Sequence, residues 1–166
     1  MITYNDIKAK RDEARAAKKA YVQSLRDVAK KLVDTYVASL QLPSEHWVSL
    51  EGEKRPYVFI IDQGFECKAE DLRVDLQDGA KFELHTVTDD DPREPLTENV
   101  RVGINVIDAE KIEVIVRGYR IETFSPVDTD EKINEVCEFI KDSILMSMNG
   151  VSFGAGASKE SVKLWD

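Results

Sequence analysis

The chain has two histidines, His46 and His85, and two cysteines, Cys67 and Cys137, and this scarcity limits its chemistry. A zinc site or a histidine-based catalytic pair needs nitrogen and sulfur ligands at close, defined spacings, and these four are scattered. His46 sits beside Trp47 in a connecting segment. His85 falls in a run where Phe82, Leu84 and Thr86 alternate with polar residues, so pleating turns it to the opposite face, with Lys81 and Glu83. There it reads as a surface or helix-covered strand histidine, with a general base beside an acidic neighbour as the competing use. Cys137 belongs to an apolar helical stripe and reads as core. Cys67, between Glu66 and Lys68, reads as exposed, but neither neighbour is a convincing activator of a thiolate.

The densest carboxylate run is Asp89-Asp90-Asp91-Pro92-Arg93-Glu94. Hard cations such as Mg²⁺ and Ca²⁺ take oxygen ligands, but a calcium loop spaces them alternately around a glycine. Pro92 interrupts this run and that spacing is missing, so it reads as a solvated hairpin loop. Asp89, Asp90, Asp91 and Glu94 are the residues it would offer to a basic partner. The glycine-rich stretch 150–156 follows a helix and lacks the Gly-Lys-Ser/Thr ending of a phosphate loop. No nucleophile-elbow or paired-histidine metalloprotease motif is found. The expectation is no cofactor, no metal and no assigned catalytic residue.

The most informative charged group is basic. Lys8, Arg11, Arg15, Lys18 and Lys19 fall within a sector of roughly 100° on a helical wheel, beside a stripe of Ile7, Ala14 and Tyr21. Three uses compete: a solvated face, a cover for the acidic body of this or another copy, or a contact to a partner's acidic surface or a nucleic-acid backbone. No aromatic is interleaved with the cations before Tyr21, so base stacking is not indicated. The net charge of −9 conceals a division: residues 1–42 hold nine Lys/Arg against five Asp/Glu, a balance of +4 that leaves −13 on the remainder. A body of that charge repels nucleic acid and anionic lipid at long range, so generic DNA binding is not expected.

These groups need elements to position them. From Asn5 to Gln41 there is no Pro or Gly, and apolar positions recur every three or four residues, which predicts one long helix ended by Pro43, with Thr3 or Asn5 as its N-cap. About 37 residues of helix extend roughly 55 Å, more than the roughly 40 Å diameter of a compact chain of this length. The second half carries large apolar residues and should dock. The first offers Ile7 and small alanines, and should project or pack on something outside its own core. Alternating runs then predict a strand at Tyr57–Ile61, a hairpin from Leu72 to Thr86 through Asp78-Gly79, and a second from Val100 to Val116 through 108–111. A further strand follows Gly118. A last helix follows Pro126, with Asp128 and Glu131 as a capping box and Ile133, Val136, Cys137, Ile140, Ile144 and Met148 on one face. The fold class is therefore α+β: a long N-terminal helix, an antiparallel sheet of about five strands, a C-terminal helix and a flexible tail. The divisions are 1–42 (helix), 43–150 (sheet and helix) and 151–166 (tail).

No stretch approaches the ~18–20 uncharged apolar residues of a membrane span. The N-terminus lacks a secretory pattern, and two cysteines do not make a disulfide scaffold. A cytoplasmic protein is the expectation. With no catalytic constellation, the sequence is read as a non-enzymatic protein-interaction module, such as an inhibitor, an immunity protein or a phage-encoded antagonist, presenting an acidic surface to a basic partner. Two alternatives stand beside it: a self-assembling structural protein pairing through the first helix (Ile7, Lys8, Arg11, Ala14, Arg15, Lys18, Lys19, Tyr21), and a carboxylate-metal enzyme.

Overall fold

A computed structural model describes residues 1–108, 111–117, 119–124 and 129–149. Helix α1 runs from Tyr4 to Ser39 without interruption. Its start is a capping box: the Asp6 backbone N–H donates to Thr3 Oγ1 at 3.3 Å, and the Thr3 backbone N–H donates to Asp6 Oδ2 at 2.7 Å. The helix ends at Leu40, and Gln41 turns the chain with a φ of 49° just ahead of Pro43.

A small hairpin follows, β1 (His46–Val48) with β2 (Lys54–Pro56). The main sheet contains β3 (Val58–Asp62), β4 (Phe65–Cys67), β5 (Val74–Asp75), β6 (Gly79–Asp89), β7 (Leu96–Asp108), β8 (Lys111–Val116) and β9 (Tyr119–Phe124). Its order is β4-β3-β6-β7-β8-β9, antiparallel throughout, with the short β5 also on β6. Among the described residues the sheet thus has seven strands where about five were expected. Strand β4, only three residues long, is too short to show an alternation, and the first arm of the hairpin expected from Leu72 is reduced to the two residues of β5. Helix α2 spans Thr129–Met148. The expected capping residue Asp128, the turn residues 109–110, Gly118 and the tail 151–166 lie outside the described residues.

Alternation decides which face is covered. Phe82, Leu84 and Thr86 on β6, Val100, Val102 and Ile104 on β7, and Val114 and Val116 on β8 are buried. They meet Leu25, Val28, Ala29, Leu32 and Tyr36 of α1 and Ile133, Val136, Cys137, Ile140 and Ile144 of α2. Both helices lie on this face. Burying side chains of this size contributes about 1.5–3 kcal/mol each, which is why the docked half of α1 carries Leu and Val where the other half carries Ala.

One turn needs its glycine. Gly79 opens β6 with a φ of +74°, and a Cβ there would sit 2.1 Å from the Ile104 carbonyl oxygen on β7. The Asp78-Gly79 signal therefore marks a close backbone approach as well as a change of direction.

Helix α1 lies along β6, and two tyrosines fix its course. Tyr21 Oη reaches Asn105 Oδ1 at 3.5 Å, beside the Gly79 end of β6, and Tyr36 Oη lies 3.0 Å from Thr86 Oγ1 toward the Asp89 end. From Tyr21 to Tyr36 the helix rises about 22 Å. From Gly79 to Thr86 the strand advances about 23 Å. The match means that helix and strand run in the same direction, and that the residues before Tyr21 continue from the Gly79 end of β6.

Candidate functional site

The predicted basic and acidic groups lie at opposite ends of the molecule. Every residue from 1 to 20 is exposed, and Tyr21 is the first of α1 to be partly covered. From Tyr4 to Tyr21 the helix is about 26 Å long. Ile7, Lys8, Arg11, Ala14, Arg15, Lys18 and Lys19 all lie on this segment. Within it Lys10 pairs with Glu13 at 2.8 Å, and Arg15 approaches Asp12 at 3.9 Å. Lys8, Arg11, Lys18 and Lys19 make no ion pair among the described residues. Met1, Ile2, Tyr4 and Ile7 are the large apolar groups here, and all are exposed. A bare helix of this length is marginal in water. Here it continues a docked helix and is capped at Thr3, so nucleation has already been met.

The acidic run joins β6 to β7 at the other end. Its carboxylates shape their own loop: Asp89 Oδ1 accepts from the Asp91 N–H at 3.0 Å, and Asp91 Oδ1 from the Arg93 N–H at 2.9 Å. Asp90 Oδ2 accepts from Tyr57 Oη at 2.6 Å, and this bond, ahead of burial, pushes the Tyr57 hydroxyl pKa up. Glu94 closes the turn through its backbone N–H to the Asp91 carbonyl at 3.1 Å. The side chains of Asp89, Asp91 and Asp90 are thus spent on three different donors rather than converging on one point. Among the described residues no group of three His, Cys, Asp or Glu side chains is arranged to hold a metal ion. Asp89, Asp90, Asp91 and Glu94 nonetheless remain exposed and make no ion pair among the described residues.

A third place emerges only from strand register. His85 lies on the face of the sheet opposite the helices, where its ring stacks on Phe59 of β3 with centroids 5.0 Å apart and planes at 17°. Its Nε2 is 3.2 Å from Glu83 Oε2, and Glu83 Oε1 is 3.5 Å from Arg101 Nε on β7. Glu83 and Arg101 also border an open cleft of about 600 Å³ lined by Gln63, Gly64, Arg73, Asp75 and Lys81. Its cations are already matched to acceptors: Arg73 to Gln63, Lys81 to Asp78, Arg101 to Glu83. The contact with Glu83 and the stack on Phe59 together fix the His85 ring. Sequence reasoning placed His85 with Glu83 but missed Phe59 and Arg101, whose positions depend on pairing across β3, β6 and β7. The signal available was the polar Arg101 between Val100 and Val102.

Both thiols are shifted away from the thiolate form. Burial, then Asp62 and Asp71, push the Cys67 pKa up, and burial raises Cys137 to about 11. No described helix is long and apolar enough to cross a membrane. No family model, curated protein or solved structure matches the chain.

Proposed function

We propose that the chain is a non-enzymatic, cytoplasmic protein-interaction module whose contact element is the N-terminal half of α1, directed at an acidic protein surface. One observation carries this reading: a capped, continuous helix leaves Lys8, Arg11, Lys18 and Lys19 unpaired on a segment that is exposed along its whole length. A stretch that adds nothing to the core costs conformational entropy unless it is used elsewhere. Electrostatic steering would speed its encounters and make them sensitive to salt.

The test is affinity capture from a nuclease-treated lysate of the native host with the full chain, compared with a variant carrying Lys8→Gln, Arg11→Gln, Lys18→Gln and Lys19→Gln. The reading expects a protein retained in stoichiometric amount at low salt, weakened at high salt and absent from the variant's eluate. Equal retention by both would overturn it.

A second reading, favoured by the unpaired carboxylates of the 89–94 loop, keeps the same class of function and reverses the sign of the partner. It expects Asp89→Asn, Asp90→Asn, Asp91→Asn and Glu94→Gln together to abolish capture while the helix variant leaves it intact.

A further inference from the structure

We infer that the exposed half of α1 docks on the acidic end of a second copy of this chain, in a head-to-tail contact. The inference rests on the interaction reading above and names its partner. Four cations at one end of the molecule and four carboxylates at the other make no ion pair among the described residues, so the two surfaces match in sign and in number. One copy cannot satisfy itself, because the exposed half of α1 begins at the Gly79 end of β6 and continues about 26 Å from Tyr21 to Tyr4, while the acidic loop leaves the opposite, Asp89 end.

Symmetric pairing of two such helices is disfavoured on the same charges, since it would bring the cations of both copies together. The acidic end answers the apolar part of the contact as well. Leu96, which begins β7 beside Asp89, is exposed. The last turn of α2 lies nearby, with Ser147 Oγ donating to Glu98 at 3.0 Å and Leu145 and Met148 exposed. These are suitable neighbours for Ile2, Tyr4 and Ile7 of the incoming helix. A contact between two different surfaces is heterologous, and it repeats until it closes a ring or extends as a filament.

Complementary variants test this in a way that simple truncation does not. One removes the cations (Lys8→Gln, Arg11→Gln, Lys18→Gln, Lys19→Gln). The other neutralises the loop (Asp89→Asn, Asp90→Asn, Asp91→Asn, Glu94→Gln) while keeping oxygen acceptors for the Asp91 and Arg93 N–H groups and for Tyr57. Sedimentation velocity on the full chain should show the mass rising with concentration at low salt and falling toward monomer at high salt, where the screening length is only ~3 Å at 1 M.

Each variant alone should associate at least about tenfold more weakly. An equimolar mixture should form a dimer and stop there, since each pair retains only one intact contact. A wild type that stays monomeric at low salt overturns the inference, as does a loop variant that associates like wild type while the helix variant does not. Monomeric wild type that still captures a lysate protein through Lys8, Arg11, Lys18 and Lys19 overturns head-to-tail docking alone. Monomeric wild type that captures nothing removes the interaction reading with it.

Discussion

The Tyr36 and Thr86 hydroxyls meet at 3.0 Å inside the core, tying the last turns of α1 to the end of β6 that leads into the acidic loop. Burial pushes the Tyr36 pKa up, the direction expected of a hydroxyl shielded from water. Tyr36→Phe leaves the Thr86 hydroxyl without this partner and should lower stability by about 1–3 kcal/mol. Adding Thr86→Val removes the stranded group and should recover most of that loss. Chemical denaturation midpoints of the two single variants and the double variant check the cycle.

Gly79→Ala should be among the most costly single-methyl changes in the protein. The new Cβ would collide with the Ile104 carbonyl, and a φ of +74° is strained for any L side chain. A loss of at least about 1–3 kcal/mol is expected, read as a lower melting temperature.

The two halves of α1 should respond unequally to side-chain truncation. Leu25→Ala and Leu32→Ala empty fully buried positions and should each cost about 2–5 kcal/mol. Ile7→Ala should change stability by no more than about 0.5 kcal/mol. Thermal melts of dilute monomer at high salt separate these effects from any association.

The thiol of Cys137 gives the stability a pH dependence at the alkaline end. Its pKa is about 11 in the fold against an ordinary value of 9.0. Below pH 9 the thiol is neutral in both states and the contribution is complete. Between 9 and 11 only the unfolded chain releases the proton, so stability falls, by about 2–3 kcal/mol for a shift of this size. Cys137→Ala should start from a lower stability and lack this part of the slope. Denaturation midpoints collected across that pH range provide the measurement.

Much of the architecture could be read from periodicity. The apolar spacing of α1 located its docked half, and pleating put His85 opposite Phe82, Leu84 and Thr86 as the structure has it. The short strand β4 could not be read this way, because three residues carry no period, whereas the arm expected from Leu72 is present but keeps only the two residues of β5. The stack of Phe59 on His85 was likewise hidden, since it depends on cross-strand register between residues 26 positions apart. The opposition of basic and acidic ends was hidden too. Both runs are plain in the sequence, but only the course of α1 past Tyr21 and Tyr36 says that they point away from each other.

The passage of α1 from solvent into the core within a single helix has a consequence for its motions. Backbone amides before Tyr21 are held by helical hydrogen bonds alone, so they open by fraying from Thr3 inward. Amides from Leu25 onward open only when side chains leave the core. Hydrogen exchange should therefore show a step in protection along a helix that has no break in its backbone. Whatever binds the free half should flatten that step from the outside, leaving the record of its footprint in the slowed amides.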